Sequence, residues 1–280
     1  MRQVPDKDAQ NPTYLIIGNG KVARHFVHYF RRLDIPHLHW FRRLEEWPEK
    51  RLHEMVAKAD VALLLIHDRA INELIEQHPA LQTLPCCHFS GSLCSKLAHA
   101  VHPLMTFHDE LYSLEKYRSI PFVCDADLDF ARLFPRLPNP HFTLRAEQRP
   151  LYHALCVMAG NFSMLLWDKL FVDFEQRLGL PRAVAFPYLL QVAENLTHQD
   201  DLPLTGPLVR GDWATIASHL EALQDDPFKA IYLAFVKTYL QGAAVDSIAS
   251  HYDQPFDAQV INTQLDPQLT QQQFVPGEIL

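Results

Sequence analysis

Tyr14-Leu15-Ile16-Ile17-Gly18-Asn19-Gly20-Lys21-Val22-Ala23 is the stretch whose reading decides the fold. A short apolar run enters a Gly-x-Gly-x-x-Ala turn, and an amphipathic segment, Arg24 to Leu33, leaves it. The pattern predicts a strand, a tight turn and a helix, which together are what a dinucleotide needs. Gly18 permits the tight turn, Gly20 lets the backbone approach a pyrophosphate, and Ala23 is small enough for close helix-on-strand packing. The first free N–H groups of the helix and its positive dipole end would face the phosphates. Gly18, Asn19, Gly20, Lys21, Val22 and Ala23 are therefore the candidate cofactor-binding residues. Small residues also serve ordinary turns. The placement after a strand pattern and before a helix pattern is what favours a cofactor.

One step outward, Pro36 to Phe41 reads as a second strand that ends in Arg42-Arg43. A site for NAD usually places Asp or Glu about 20 residues beyond the glycines, to accept from the ribose 2′-hydroxyl. Two guanidinium groups stand at that place instead, and their forks match a phosphate. Glu45 and Glu46 follow too late and fit the first turn of the next helix. NADP is favoured over NAD, with Arg42 and Arg43 on the 2′-phosphate. The alternative is a solvated basic strand end.

Farther along, short apolar runs alternate with amphipathic stretches. Leu44 to Lys58 is helical in period, Val61 to Ile66 is a continuous apolar strand, Ala70 to Gln77 a helix and Leu84 to Phe89 a buried strand. This alternation predicts an α/β fold with a doubly wound parallel sheet. Less regular strands are expected at Ala100 to Met105, Pro121 to Cys124 and His141 to Leu144, with a helix over Asp127 to Phe134. After Arg145 the strand patterns stop. One long helix carries Tyr152, Leu155, Cys156, Ala159, Phe162, Leu165 and Leu166 on its apolar face, and further helices are expected at Phe171 to Leu178, Arg182 to Thr197, Asp212 to Leu223 and Pro227 to Leu240. The expected domains are residues 1–146, which bind the nucleotide, and 147–280, all helical with a polar tail from Val245. The apolar stripes at Leu165, Leu166, Leu170, Leu189 and Leu190 predict a homodimer formed through residues 147–242.

Composition sets bounds on function. The 280 residues are 48% hydrophobic and 21% charged, with a formal net charge of −8. An acidic balance argues against a nucleic-acid partner. Met1 to Asn11 lacks the apolar core of a signal peptide. No apolar run approaches the length of a membrane span, with Val61 to Ile66 among the longest, and no membrane partner is expected. The five cysteines form no Cys-x-x-Cys pair, so a reduced, cytoplasmic protein is expected. Cys86-Cys87 lies in an apolar strand and reads as buried, inert thiols. Among the sixteen histidines, His37-x-His39 and His99-x-x-His102 are the tightest pairs. Neither has an evident third ligand, and no metal is expected.

Ligands of open parallel sheets bind beyond the carboxyl ends of the strands. Polar residues gather there at His67-Asp68, at His88-Phe89-Ser90-Gly91-Ser92 and at His102-Pro103. Asp68 is expected to cap the following helix. His88 and Ser90 would orient a small-molecule substrate near the nicotinamide, and His102 would bind it. In the helical half, Thr205 to Asp212 offers Arg210, and Asp212 is placed to cap the next helix.

Five segments carry a resemblance: Gly18 to Ala23, His88 to Leu93, His102 to Phe107, Tyr152 to Phe162 and Thr205 to Asp212. With these the chain resembles bacterial proteins that join an N-terminal Rossmann-like domain to a C-terminal helical domain of unknown function. Broader relatives are ketopantoate reductase, pyrroline-5-carboxylate reductase, prephenate dehydrogenase and the β-hydroxyacid dehydrogenases. The resemblance implies NADP binding, a helical dimerisation domain and a substrate cleft between the domains. In the β-hydroxyacid dehydrogenases a catalytic lysine stands one helical turn before an asparagine on the first long interdomain helix. Asn161 matches the asparagine, but Val157 stands where the lysine would be. His153, another turn back, is the candidate proton donor in its place, with Asn161 and Arg210 on substrate. Two readings follow: an NADPH-dependent reductase of a small C=O or C=N substrate, or a non-catalytic NADP sensor or scaffold.

Overall fold

The computed structural model describes residues 11–42, 48–198 and 204–245. Arg43, Leu44, Trp47 and the tail lie outside the described residues. Strand β1 (Tyr14–Ile17) is wholly buried and passes through the turn into helix α1 (Lys21–Arg32). After β2 (His37–Trp40) come α2 (Pro48–Val56), β3 (Val61–Leu64), α3 (Asp68–Gln77) and β4 (Cys86–His88). Then follow β5 (His99–Pro103), α4 (Leu114–Ser119), β6 (Phe122–Asp125), α5 (Phe130–Leu133) and β7 (His141–Leu144). The seven strands form one sheet in the order β2-β1-β3-β4-β5-β6-β7. Strand order reverses beside β1, so the crevice outside the carboxyl ends of β1 and β3 is the switch point where a ligand is expected.

The sheet is parallel except at one pair. β6 runs antiparallel to β5, with His102 opposite Val123, and β7 runs parallel to β6. The sheet is thus mostly parallel and doubly wound, as expected, with one antiparallel pair. The link between β5 and β6 holds only the six-residue helix α4, and β6 returns without a full crossover. One core layer packs Phe26, Phe30, Tyr117, Phe122 and Phe134 on one face of the sheet. On the other face a second layer gathers Leu52, Ile71, Ile75 and Leu81.

Beyond β7 the described residues form helices and turns, with no strand. Helix α6 (Arg149–Cys156) continues through a π-helical stretch, Val157–Phe162, into α7 (Ser163–Gln176). A separate helix from Phe171 is thus absorbed into one continuous run. Ala146–Gln176 is also long and apolar enough, by length and composition, to cross a membrane, and none of its most apolar window is buried within the chain. Counting only uninterrupted apolar runs overlooks it, because isolated polar residues punctuate the helix.

Cα packing divides the chain into two compact units, Met1–Gly179 and Leu180–Leu280, so the long helix counts with the sheet. The second unit contains α8 (Phe186–His198), α9 (Trp213–Ala222) and α10 (Phe228–Val245). Asp212 caps α9 as expected, accepting from the Thr215 backbone N–H at 3.1 Å and its hydroxyl at 2.7 Å. These bonds hold its carboxyl below the usual range.

Candidate functional site

Gly18 has φ +126°, a conformation that side chains rarely adopt, and a Cβ there would lie 2.1 Å from the Leu65 carbonyl oxygen. Only a glycine fits where the chain leaving β1 passes the backbone at the end of β3. Gly20 is different: a Cβ there would meet nothing within 4 Å. Its neighbourhood is open space, in front of a helix N-terminus with no side-chain cap and no acidic residue in its first turn. Ala23 is fully buried, as close packing of α1 on the sheet requires.

Two adjoining cavities follow this turn. One, of about 650 Å³, is walled by Gly18, Gly20, Trp40, Arg42 and His67. The other, of about 700 Å³, is walled by Gly20, Lys21, Asp68, Phe89 and Ser90. Asn19 borders both, and Val22 the second. Arg42 is exposed at the end of β2, while Arg43 lies outside the described residues. The local positive charge is partly answered by Asp109, which stands 3.4 Å from Lys21 Nζ and 3.7 Å from Arg24 Nη1.

Asp68 does not cap α3. His67 holds the N-cap position without a side-chain bond, and Asp68 is the first helical residue. Its Oδ2 accepts from the Ser90 hydroxyl at 2.5 Å. Ser90 Oγ in turn accepts from the Leu93 backbone N–H at 3.0 Å, so the hydroxyl fixes the turn after β4 as well as lining the cavity.

The other predicted residues fall around α6. His88 is fully buried, lines neither of these cavities, and has no hydrogen-bond partner at either ring nitrogen among the described residues. Burial pushes it down to about 4, opposed by Asp125 and reinforced by Arg149. His102 is likewise held at about 4, first by burial and then by the charges of His153 and Arg149. Its Nδ1 lies 2.7 Å from the Tyr152 hydroxyl, and its ring stands 6.3 Å from that of His153. Both rings press on Gly91, where a Cβ would come within 2.5 Å of His153 Cδ2. The structure therefore brings His102, His153 and the Ser90–Gly91 turn together. Asn161 is exposed within the π-helical stretch, whose wider turns break the α-helical register that would align it with His153. Arg210 belongs to the second unit, in the turn between Gly206 and Gly211, and it is exposed.

Three residues of this cluster escape a reading of the sequence. Arg149 is fully buried, and its Nε and Nη2 meet Asp125 Oδ1 at 2.8 and 2.7 Å. Asp125 Oδ2 accepts from the Ala100 backbone N–H at 2.7 Å. Tyr152, read from sequence only as part of an apolar stripe, reaches His102. An arginine opening an otherwise apolar helix is the one local sign of the cluster.

The first histidine pair serves the backbone, and the second meets side chains. His37 Nδ1 lies 2.8 Å from the Ile35 carbonyl, and His39 Nε2 lies 2.7 Å from that of Gly18. His99 comes within 3.7 Å of Asp127. Donor atoms of His99, Asp125 and Asp127 do converge within 4.8 Å, but the Arg149 guanidinium already neutralises Asp125. Cys86 and Cys87 are buried as expected, and burial pushes the Cys86 thiol up to about 12.

With this geometry in hand, residues 125–239 match a family model described as a domain of unknown function, DUF2520. No curated protein matches the chain. Among solved structures, a Bacteroides fragilis protein provisionally named an NADP oxidoreductase is 20% identical, with a TM-score of 0.65 over 82% of this chain and 98% of that one. A Thermotoga maritima protein is 21% identical, with a TM-score of 0.62 over 83% and 98%. Plasmodium falciparum pyrroline carboxylate reductase, with NADP bound, is 12% identical, with a TM-score of 0.52 over 84% and 97%. The likeness is one of fold: a Rossmann-like sheet followed by helices, with DUF2520 covering the end of the sheet and most of the helical part.

Proposed function

We propose that this protein is an NADP(H)-binding oxidoreductase that reduces a small C=O or C=N substrate. The observation that carries the reading is the crevice at the switch point. Open space lies in front of Gly20 and the uncapped N-terminus of α1, and Arg42 stands on its far wall. Pyrophosphate fits the first, a 2′-phosphate the second. The fold shared with a pyrroline carboxylate reductase that has NADP bound supports the same reading. In it, His153 gives the proton as hydride arrives, and His102 and Ser90 orient the substrate. The test is single-turnover oxidation of bound NADPH by a panel of small ketones, 2-oxo acids and cyclic imines. A reductase oxidises the cofactor with at least one of them.

Val157, in place of the family lysine, favours a second reading, an NADP-binding sensor or scaffold without turnover. That reading predicts tight NADPH binding and no oxidation across the panel.

The exposed apolar side chains of the long helix support a homodimer. Leu151, Leu155 and Leu165 are 66%, 55% and 58% exposed, where a soluble surface rarely clusters such groups. Light scattering should give twice the chain mass, and Leu165→Glu should lower it toward one chain. A monomeric wild type would remove this part of the proposal. Five free cysteines fit a reducing, cytoplasmic setting.

A further inference from the structure

The pair formed by His102 and Tyr152 has a direction. Its oxygen-to-Nδ1 distance is 2.7 Å, and the rings meet edge to face at 81°. Either group could donate in principle, so the surroundings decide. Among the described residues, the Cys156 side chain also interacts with the Tyr152 hydroxyl. A thiol is a weak acceptor, whereas a neutral imidazole nitrogen is a good one. The phenol O–H therefore goes to Nδ1, and the Cys156 thiol is left to face the phenol oxygen. With Nδ1 accepting, the ring proton sits on Nε2.

Nε2 has no hydrogen-bond partner among the described residues, and it lies 3.1 Å from the point that a Cβ on Gly91 would occupy. Only a glycine leaves room there. We propose that Tyr152 is a positioning residue: its hydroxyl pins His102 as the Nε2–H tautomer, so that a neutral donor stands beside Gly91, one residue from the Ser90 wall of the crevice. The charged and titratable groups around His102 are His88 on β4, Asp68 on α3, and Arg149 and His153 on α6. Their balance, with burial, keeps the ring uncharged near neutral pH. That this donor meets substrate rests on the function proposed above. The tautomer itself does not.

The experiment is long-range proton–nitrogen correlation on the full chain labelled with ¹⁵N-histidine, without cofactor, at pH 6, 7 and 8. His102→Gln identifies the signals. The expected wild-type spectrum has His102 Nδ1 in the unprotonated range and Nε2 in the N–H range, unchanged across the three pH values. Tyr152→Phe should shift both resonances toward the averaged values of exchanging tautomers. A wild-type Nδ1 that is protonated or averaged overturns the proposal, as does a Tyr152→Phe spectrum identical to wild type. If that variant does not fold, the wild-type spectrum alone decides. Loss of NADPH binding would defeat the proposed function and leave this assignment standing.

Discussion

Around Gly18 and Gly20 the crevice is walled by backbone and open space, whereas beside α6 a separate cluster of side chains closes on itself. At the first region what matters is an absence of atoms. Gly18 has no room for a Cβ, and Gly20 has room that nothing fills. At the second, Arg149, His88 and His102 are drawn from α6, β4 and β5 into a poorly hydrated cluster with Asp125 of β6. The first region costs little to maintain and stands ready for a ligand. The second carries desolvated charge, and any change there is felt by the whole fold.

That contrast breaks first at the ion pair. Asp125→Ala leaves a fully buried guanidinium without its counter-charge and should cost about 3–5 kcal/mol. Urea denaturation measures it, and a loss under about 1 kcal/mol would mean that the cluster is better hydrated than its burial implies.

Acid is the next test. His88 and His102 sit at about 4 when folded, below their ordinary 6.5, so the unfolded chain binds the extra protons. Their contribution is complete above pH 6.5 and declines as pH falls toward 4, by about 1.4 kcal/mol per pH unit for each histidine. Unfolding midpoints at pH 7 and pH 5 should differ accordingly, and His102→Gln should remove about half of the slope. A flat profile would place both rings in water.

The two glycines sharpen the comparison within the first region. Gly18→Ala forces strain of about 1–3 kcal/mol as well as a backbone clash, and should lower the melting temperature markedly. Gly20→Ala should leave stability within about 0.5 kcal/mol while weakening NADPH binding, because the methyl group occupies the pyrophosphate's approach. Equal melting temperatures for the two variants would contradict the assignment.

The same contrast explains what a reader of the sequence can and cannot see. The glycine turn is local: Gly18, Gly20 and Ala23 act within six residues, so their spacing announces the strand, the turn and the helix. Continuous apolar runs such as Val61 to Leu64 are legible for the same reason. The reversal of β6 is not, because no local pattern states the direction in which a strand enters a sheet. Asp68 illustrates a near miss, since a carboxylate at a helix start resembles a cap until Ser90 arrives from the next strand. Arg149, Asp125, Tyr152 and His102 are farther from view still. They lie 24 and 50 residues apart in pairs and meet only through topology. The π-helical stretch after Cys156 likewise leaves no periodic trace that distinguishes it from α-helix.

The central claim is the proposal that the crevice lined by Arg42 takes the 2′-phosphate of NADP, with Arg43 next to it in the sequence. Calorimetric titration of wild type and of the Arg42→Ala, Arg43→Ala double variant with NADPH and NADH tests it directly. A charge-assisted contact of roughly 1.5–3 kcal/mol corresponds to about a 10–150-fold preference. Wild type should therefore bind NADPH more tightly than NADH by about that factor, and the double variant should lose the preference while its NADH affinity stays nearly unchanged. Equal wild-type affinities for the two cofactors, or a double variant that loses both alike, would contradict the account.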